Sequence, residues 1–378
     1  MGKFGKKVEI NLNPLAYNIG LLGESGIGKS TIIKEVCEKL AGKDGYISLD
    51  IGREDGHKAI SGIISERVDT WSKFAEVIDD IVENKQEDYP NLKVVAVDTY
   101  DQLCDLAEKE VVRLWNKKCI ENQKPQVDTI NAAFGGFGKG LDKAIELILE
   151  KLWALKSVGV SFIIIAHVKR TDVTDVMSEE QYSMLTASTT QKYFNAIKQK
   201  LDFLGMAYID REMVKVKTKK KDNNGNVIEK NKISGESRVI NFRDDTYSVD
   251  SKCRFANIVD QIPFDADAFI KAMQDAIMAE QEKDGISIED AQKKQAKEAE
   301  EAEAIAKQNS ENAKAKKIEE QEEVKRSDIL NAIQAKLPDA SVESKTKIKE
   351  WLTAEGYSKL TDPKVPVKML QAIYDGIK

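Results

Sequence analysis

The sequence predicts an α/β protein: a mostly parallel sheet with helices on both faces and a β-hairpin extension, then a charged helical spacer and a small helical C-terminal domain. Three observations lead there. Residues 1–262 alternate short apolar runs with amphipathic helical patterns, as crossover-connected strands require. An apolar run at 17–22 leads through a glycine-rich loop directly into a helical pattern at 29–40. From 281 to 326 the chain turns to Ala, Glu, Lys and Gln, with no proline and no aromatic residue.

Strands are expected at 17–22, 45–49, 93–97 and 160–166, each a short apolar run of the kind buried on both faces. Helices are expected at 29–40, 70–84, 101–117 and 139–157, where apolar residues recur at helical spacing. Further on, two alternating segments flank Asn223-Asn224-Gly225-Asn226, a turn signal that reads as a β-hairpin leaving the sheet. In the charged stretch, Glu289/Lys293, Asp290/Lys294, Glu303/Lys307 and Glu322/Arg326 sit at i,i+4 spacing. Too few apolar residues remain for a heptad seam, so 263–326 reads as an exposed helical spacer. Residues 327–378 regain Leu, Ile, Trp351 and Tyr357, broken by Pro338, Gly356 and Pro363, which reads as a three-helix domain.

Composition bounds the function. The 58 basic and 64 acidic residues leave a net charge of -6, so nucleic-acid contact has to come from a local patch. Cys37, Cys104, Cys119 and Cys253 form no Cys-x-x-Cys pair, and there are two histidines. That argues against a zinc site and a disulfide framework and suits a reducing cytoplasm. The first residues hold no apolar signal segment, and the longest apolar run, 162–166, is far too short to span a membrane. The expected location is cytoplasmic, with no membrane partner.

The segment 18–40, NIGLLGESGIGKSTIIKEVCEKL, carries the chemistry of a Walker A loop for ATP. Its cradle is Gly23, Glu24, Ser25, Gly26, Ile27, Gly28, Lys29, Ser30 and Thr31. The glycines let backbone N–H groups curl around phosphate oxygens, and the helix points its positive end at the same charge. Lys29 is expected to bridge the β- and γ-phosphates and Ser30 to ligate Mg²⁺. The run VVAVD at 94–98 is the matching Walker B strand, with Asp98 holding Mg²⁺ through water and Thr99 beside it. Between 214 and 233, Lys215, Lys217, Lys219, Lys220, Lys221, Lys230 and Lys232 face only Asp222 and Glu229. A basic hairpin on an acidic protein suits a phosphate backbone held without reading sequence; a solvated turn is the other reading. The loop AFGGFGKG at 133–140 offers Phe134 and Phe137 for stacking at a subunit or DNA face.

The order of these motifs resembles the RecA-like ATPases, and specifically the phage nucleotide-binding proteins related to bacterial RadA/Sms and to phage single-strand-annealing ATPases. The marks are GESGIGKST at 23–31, VVAVDTYDQL at 94–103, IIIAHVK at 163–169, Leu201-Asp202, SRVINF at 237–242 and KCRF at 252–255. The last is similar to a Lys-Asn-Arg-Phe-Gly box, with Cys253 replacing Asn and Ala256 replacing Gly. The resemblance implies a RecA-like core in which His167, at the end of a strand, senses the γ-phosphate. It implies that Lys252 and Arg254 reach into a neighbouring subunit's ATP site. A catalytic carboxylate belongs just after the second strand, where SLDIGRED offers Asp50, Glu54 and Asp55; Glu54 is the choice. The loop at 168–189, opening with Lys169 and Arg170, would face DNA, although Asp172, Asp175, Glu179 and Glu180 oppose that.

The function so implied is an ATP-dependent recombination protein that binds single-stranded DNA and promotes annealing or strand exchange as a ring or filament of copies. A ring-shaped helicase or branch-migration ATPase remains open. So does a nucleotide-switched loading factor that meets a single-strand-binding or replication protein through its C-terminal domain.

Overall fold

Burial on both faces decides the first strand: β1 (Ile19–Gly23) is buried at every position. It hands the chain to α1 (Lys29–Ala41), which turns Ile32, Ile33, Val36 and Cys37 inward. This is a computed structural model, and it describes residues 10–52, 56–174, 181–221, 227–243, 249–283 and 288–377. Next come β2 (Tyr46–Ile51), a short 3-10 helix (Gly56–Ala59), β3 (Ser65–Val68) and α2 (Trp71–Glu83). Thr70 caps α2, its hydroxyl accepting from the Lys73 amide at 3.1 Å, which ends the preceding strand connection cleanly. Then follow β4 (Val94–Asp98), α3 (Tyr100–Glu121) and α4 (Lys139–Ser157). β5 (Ser161–Thr174), β6 (Gln181–Ala187) and α5 (Gln191–Lys198) lead to β7 (Phe203–Lys221) and β8 (Val227–Asn241). Two short strands, β9 (Lys252–Cys253) and β10 (Gln261–Pro263), precede α6 (Ala266–Lys283), α7 (Ile288–Lys336), α8 (Val342–Ala354) and α9 (Val367–Gly376).

The main path of the sheet runs β10-β8-β7-β1-β5-β4-β2-β3, with β6 paired to β5 and β9 to β7. β1 lies between β5 and β7, and β4 between β2 and β5, all parallel. One face of these strands packs Ile19, Leu21, Val94, Ala96, Ile163 and Ile165 with residues of α1 and α6. Alternation turns Val95, Val97, Phe162 and Ile164 the other way, where Trp153 of α4 meets Phe162 at 5.6 Å between ring centroids. The predicted class, a mostly parallel sheet with helices on both faces and a helical C-terminal region, is the observed one.

Two differences from the sequence reading have physical causes. β3 was not expected; it is a short edge strand whose Ser65, Glu66 and Arg67 are at least partly exposed, so no apolar run announces it. β5 does not stop at residue 166 but continues to Thr174, paired antiparallel with β6, so 168–189 is largely a two-stranded arm and not a loop. Beyond residue 262, α6 buries Phe269, Ile270, Met273 and Ile277 in the main core. The chain separates into compact units at 1–307 and 308–378, a division that falls within α7. The second unit has its own core of Ile333, Ile348, Leu352, Val365, Leu370 and Ile373, contributed by the end of α7, by α8 and α9, and by the segment between them.

Candidate nucleotide site

The parallel strands carry their chemistry at one edge. Register pairs Gly23 with His167 and with Ala207, and Asp98 with Asp50 and with Ile165. Ligands of open α/β sheets bind beyond this carboxyl edge. Gly23 is required by close approach: a Cβ there would stand 2.8 Å from the Ala207 carbonyl oxygen. Gly28 is required by conformation, since its φ of 106° is left-handed and it N-caps α1 without any side chain. The first amides of any helix lie beyond its own hydrogen-bond ladder, which suits the start of α1 to an anion.

Lys29 folds back over this loop. It is 6% exposed, and its Nζ donates to the Gly23 and Glu24 carbonyls at 3.0 Å each. Ser30 Oγ donates to Asp98 Oδ2 at 2.5 Å, joining the helix after the loop to the end of β4. Beside Asp98, Thr99 Oγ1 is buried with no hydrogen-bond partner among the described residues. No group of three or more His, Cys, Asp or Glu gathers among the described residues to enclose an ion. A hydroxyl and one carboxylate are instead the sparse oxygen set that suits Mg²⁺ completed by phosphates and water.

His57, which sequence reasoning passed over, belongs to this cluster. Its Nε2 lies 2.9 Å from Asp98 Oδ2 and its Nδ1 lies 2.6 Å from Ser65 Oγ. Its ring is 7% exposed. Asp50, one of the three carboxylates considered after the second strand, is buried and meets an Arg67 nitrogen at 3.3 Å. Glu54, the residue chosen for that role, and Asp55 lie outside the described residues.

His167 does not end its strand. Its amide and its Nδ1 each lie 2.9 Å from Asp101 Oδ2, and Ser188 Oγ donates to Asp101 Oδ1 at 3.0 Å. Asp101, in the first turn of α3, thus ties that helix to the β5–β6 arm, a connection that no local pattern announces. Arg238 was missed for the same reason. From β8 it donates to the Ile27 carbonyl at 3.1 Å and lies over the Phe264 ring at 5.6 Å, against the glycine-rich loop.

Other expected residues sit apart from this cluster. Lys252 Nζ donates to the Lys198 and Gln199 carbonyls at 2.8 and 3.1 Å, and Arg254 donates to the Gln199 carbonyl at 2.8 Å. Arg254 also pairs with Asp202 at 3.2 Å. Both cations therefore cap the carboxyl end of α5, where the helix dipole favours them. Burial, then the neighbouring Arg254 guanidinium, holds the Lys252 pKa below the ordinary lysine value. Among the described residues, none of their hydrogen bonds goes to residues 23–31.

Lys169 and Arg170 are exposed on the β5–β6 arm, and Lys169 donates to the Ser188 carbonyl at 3.2 Å. Lys215, Lys217, Lys219, Lys220 and Lys221 are all on β7, where the backbone register sets Lys215 against Asn231 and Lys217 against Glu229. The expected turn, 222–226, lies outside the described residues. Of the two candidate stacking rings, Phe134 is already packed on Trp115 at 4.9 Å, while Phe137 is fully exposed.

No helix among the described residues is long and apolar enough to cross a membrane. None of the curated proteins compared with the chain matches it. Residues 15–255 match the family model described as AAA domain, a match that runs from just before β1 to just past β9 and contains the whole cluster above. An AAA domain is a nucleotide-binding ATPase domain of the P-loop type, and this chain, matched over more than half its length, belongs to the AAA domain family.

Proposed function

We propose that the chain is a Mg²⁺-dependent ATPase of the RecA-like phage type that binds single-stranded DNA and promotes annealing or strand exchange as an oligomer. The observation that carries the nucleotide part is the 2.5 Å contact between Ser30 and Asp98. Two residues 68 positions apart meet at the end of a glycine loop, with a lysine folded over the same loop. In this reading the amides of 26–31 receive the phosphates, and Lys29 exchanges its two loop carbonyls for β- and γ-phosphate oxygens. Ser30 and Asp98 would hold Mg²⁺. When bound, the ion neutralises charge on the β- and γ-oxygens.

His167 is the proposed sensor. Its pairing with Gly23 and its bonds to Asp101 support that role, because both link it to the loop and to the helix after Asp98. A change at the γ-phosphate then reaches Lys169 and Arg170 along the same strand. The lysines of β7 are proposed to hold a phosphate backbone without sequence preference. What supports this is a long β7–β8 ribbon whose outer part pairs with nothing but itself among the described residues.

Lys252 and Arg254 are proposed as the cations offered to a neighbouring copy. The test is a mixing experiment on the full chain. Lys29→Ala and Arg254→Ala proteins are each expected to be inactive alone and to regain part of the ATPase rate when mixed. A sound loop in one copy then faces a sound cation from another. Demonstrated co-assembly without any recovered rate assigns Arg254 to capping α5 alone.

A second reading, a nucleotide-switched loading factor, is favoured by one observation: residues 308–378 form a unit with a separate core. In either reading, the module at 327–378 is proposed to meet a single-strand-binding or replication protein.

A further inference from the structure

We propose that His57 is the positioning residue of Asp98, fixing the carboxylate for Mg²⁺ and tying it to the β2–β3 connection. The inference rests on the reading of Ser30 and Asp98 as the magnesium-holding pair.

Asp98 ends a strand, and its side-chain torsion is not fixed by the sheet. Two donors converge on its Oδ2: the Ser30 hydroxyl at 2.5 Å and the His57 ring at 2.9 Å. The other ring nitrogen is engaged by Ser65 Oγ at 2.6 Å. A buried imidazole with both nitrogens engaged has one orientation open to it, so it holds whatever it touches. A histidine that only filled space would need no such alignment. Here the line Ser30–Asp98–His57–Ser65 runs unbroken from α1 to β3.

The surroundings point the same way. Asp50, His57, Lys58, Ile63, Ser65 and Arg67 line a shallow, open cleft on the β2–β3 side of the site. His57 thus separates that cleft from Asp98, and Ser65, itself exposed, is the outer end of the line. Partners that orient a metal-binding carboxylate matter nearly as much as the carboxylate, and removing one costs roughly 10–100-fold in metal affinity or activity. The consequence for this chain is that a shift of the 3-10 helix or of β3 changes magnesium binding without touching the phosphate loop.

The experiment uses the full chain and a fluorescent ATP analogue, titrated with Mg²⁺ and compared in EDTA, for wild type, His57→Ala, His57→Gln and Ser65→Ala. Circular dichroism on each variant checks folding. His57→Ala is expected to raise the Mg²⁺ midpoint by about tenfold or more, leaving the EDTA affinity unchanged. His57→Gln, whose amide can still donate to Asp98, is expected to recover most of that shift, and Ser65→Ala to show a smaller shift of the same sign. A wild-type midpoint in folded His57→Ala overturns the proposal, as does a folded His57→Gln no better than alanine. Should His57→Ala fail to fold, an unshifted Ser65→Ala overturns it instead. Wild-type binding that is strong but indifferent to Mg²⁺ removes the underlying reading of Ser30 and Asp98 together with this one. The wild-type titration therefore tells the two failures apart.

Discussion

Lys29→Ala is expected to lower ATP hydrolysis by about 100-fold or more, the usual cost of removing one preorganised donor from developing charge. The lysine does two jobs. It is proposed to meet the β- and γ-phosphates, and its Nζ donates to the Gly23 and Glu24 carbonyls of the same loop. The substitution therefore also leaves two carbonyls without their charged donor, a cost of about 1–3 kcal/mol if they stay dry. The fold should survive that loss, because β1 and α1 are anchored by Leu21, Ile32, Ile33 and Val36, none of which involves the lysine. Steady-state ATPase assays beside a thermal melt separate the two effects. A folded variant with a rate close to wild type would move the phosphate role away from residues 23–31.

Reversing Lys219, Lys220 and Lys221 to Glu is expected to weaken single-strand binding strongly and equally across sequences. Affinity that rests on phosphate neutralisation carries a salt signature, with a slope of about 0.7 for each contact on a single strand. Losing three contacts should therefore flatten a plot of log affinity against log salt by about 2. Nucleotide binding should persist. Only the start of β7 pairs with β1, from Phe203 to Ala207, and the lysines lie well beyond it. Binding unchanged in both strength and salt slope would assign these lysines to solvent.

What could be read from the sequence was whatever a contiguous segment carries by itself. The apolar runs at 17–22, 45–49, 93–97 and 160–166 foretold β1, β2, β4 and the buried half of β5 because burial on both faces demands unbroken hydrophobicity. The loop at 23–31 was legible as a pattern because its glycines, lysine and serine stand close together in the sequence. The polar half of β5 was not, since Lys169, Arg170 and Asp172 are exposed and so form no apolar run. Helix α6 was legible in principle, since Phe269, Ile270, Met273 and Ile277 keep helical spacing. His57, Asp101 and Arg238 escaped for a different reason. Each reaches the site from another element through a single side chain, and only the assembled sheet brings them there.

The central claim is that ATP binding at this loop controls single-strand binding, and one measurement meets it directly. Full-length wild-type protein is titrated onto a fluorescent oligonucleotide of mixed sequence at fixed salt, with a non-hydrolysable ATP analogue and Mg²⁺, and again without nucleotide. The account predicts binding that tightens when the analogue is present and that runs alike on unrelated sequences. Tight analogue binding with no DNA bound in either state would contradict it and leave the nucleotide-switched loading factor in its place.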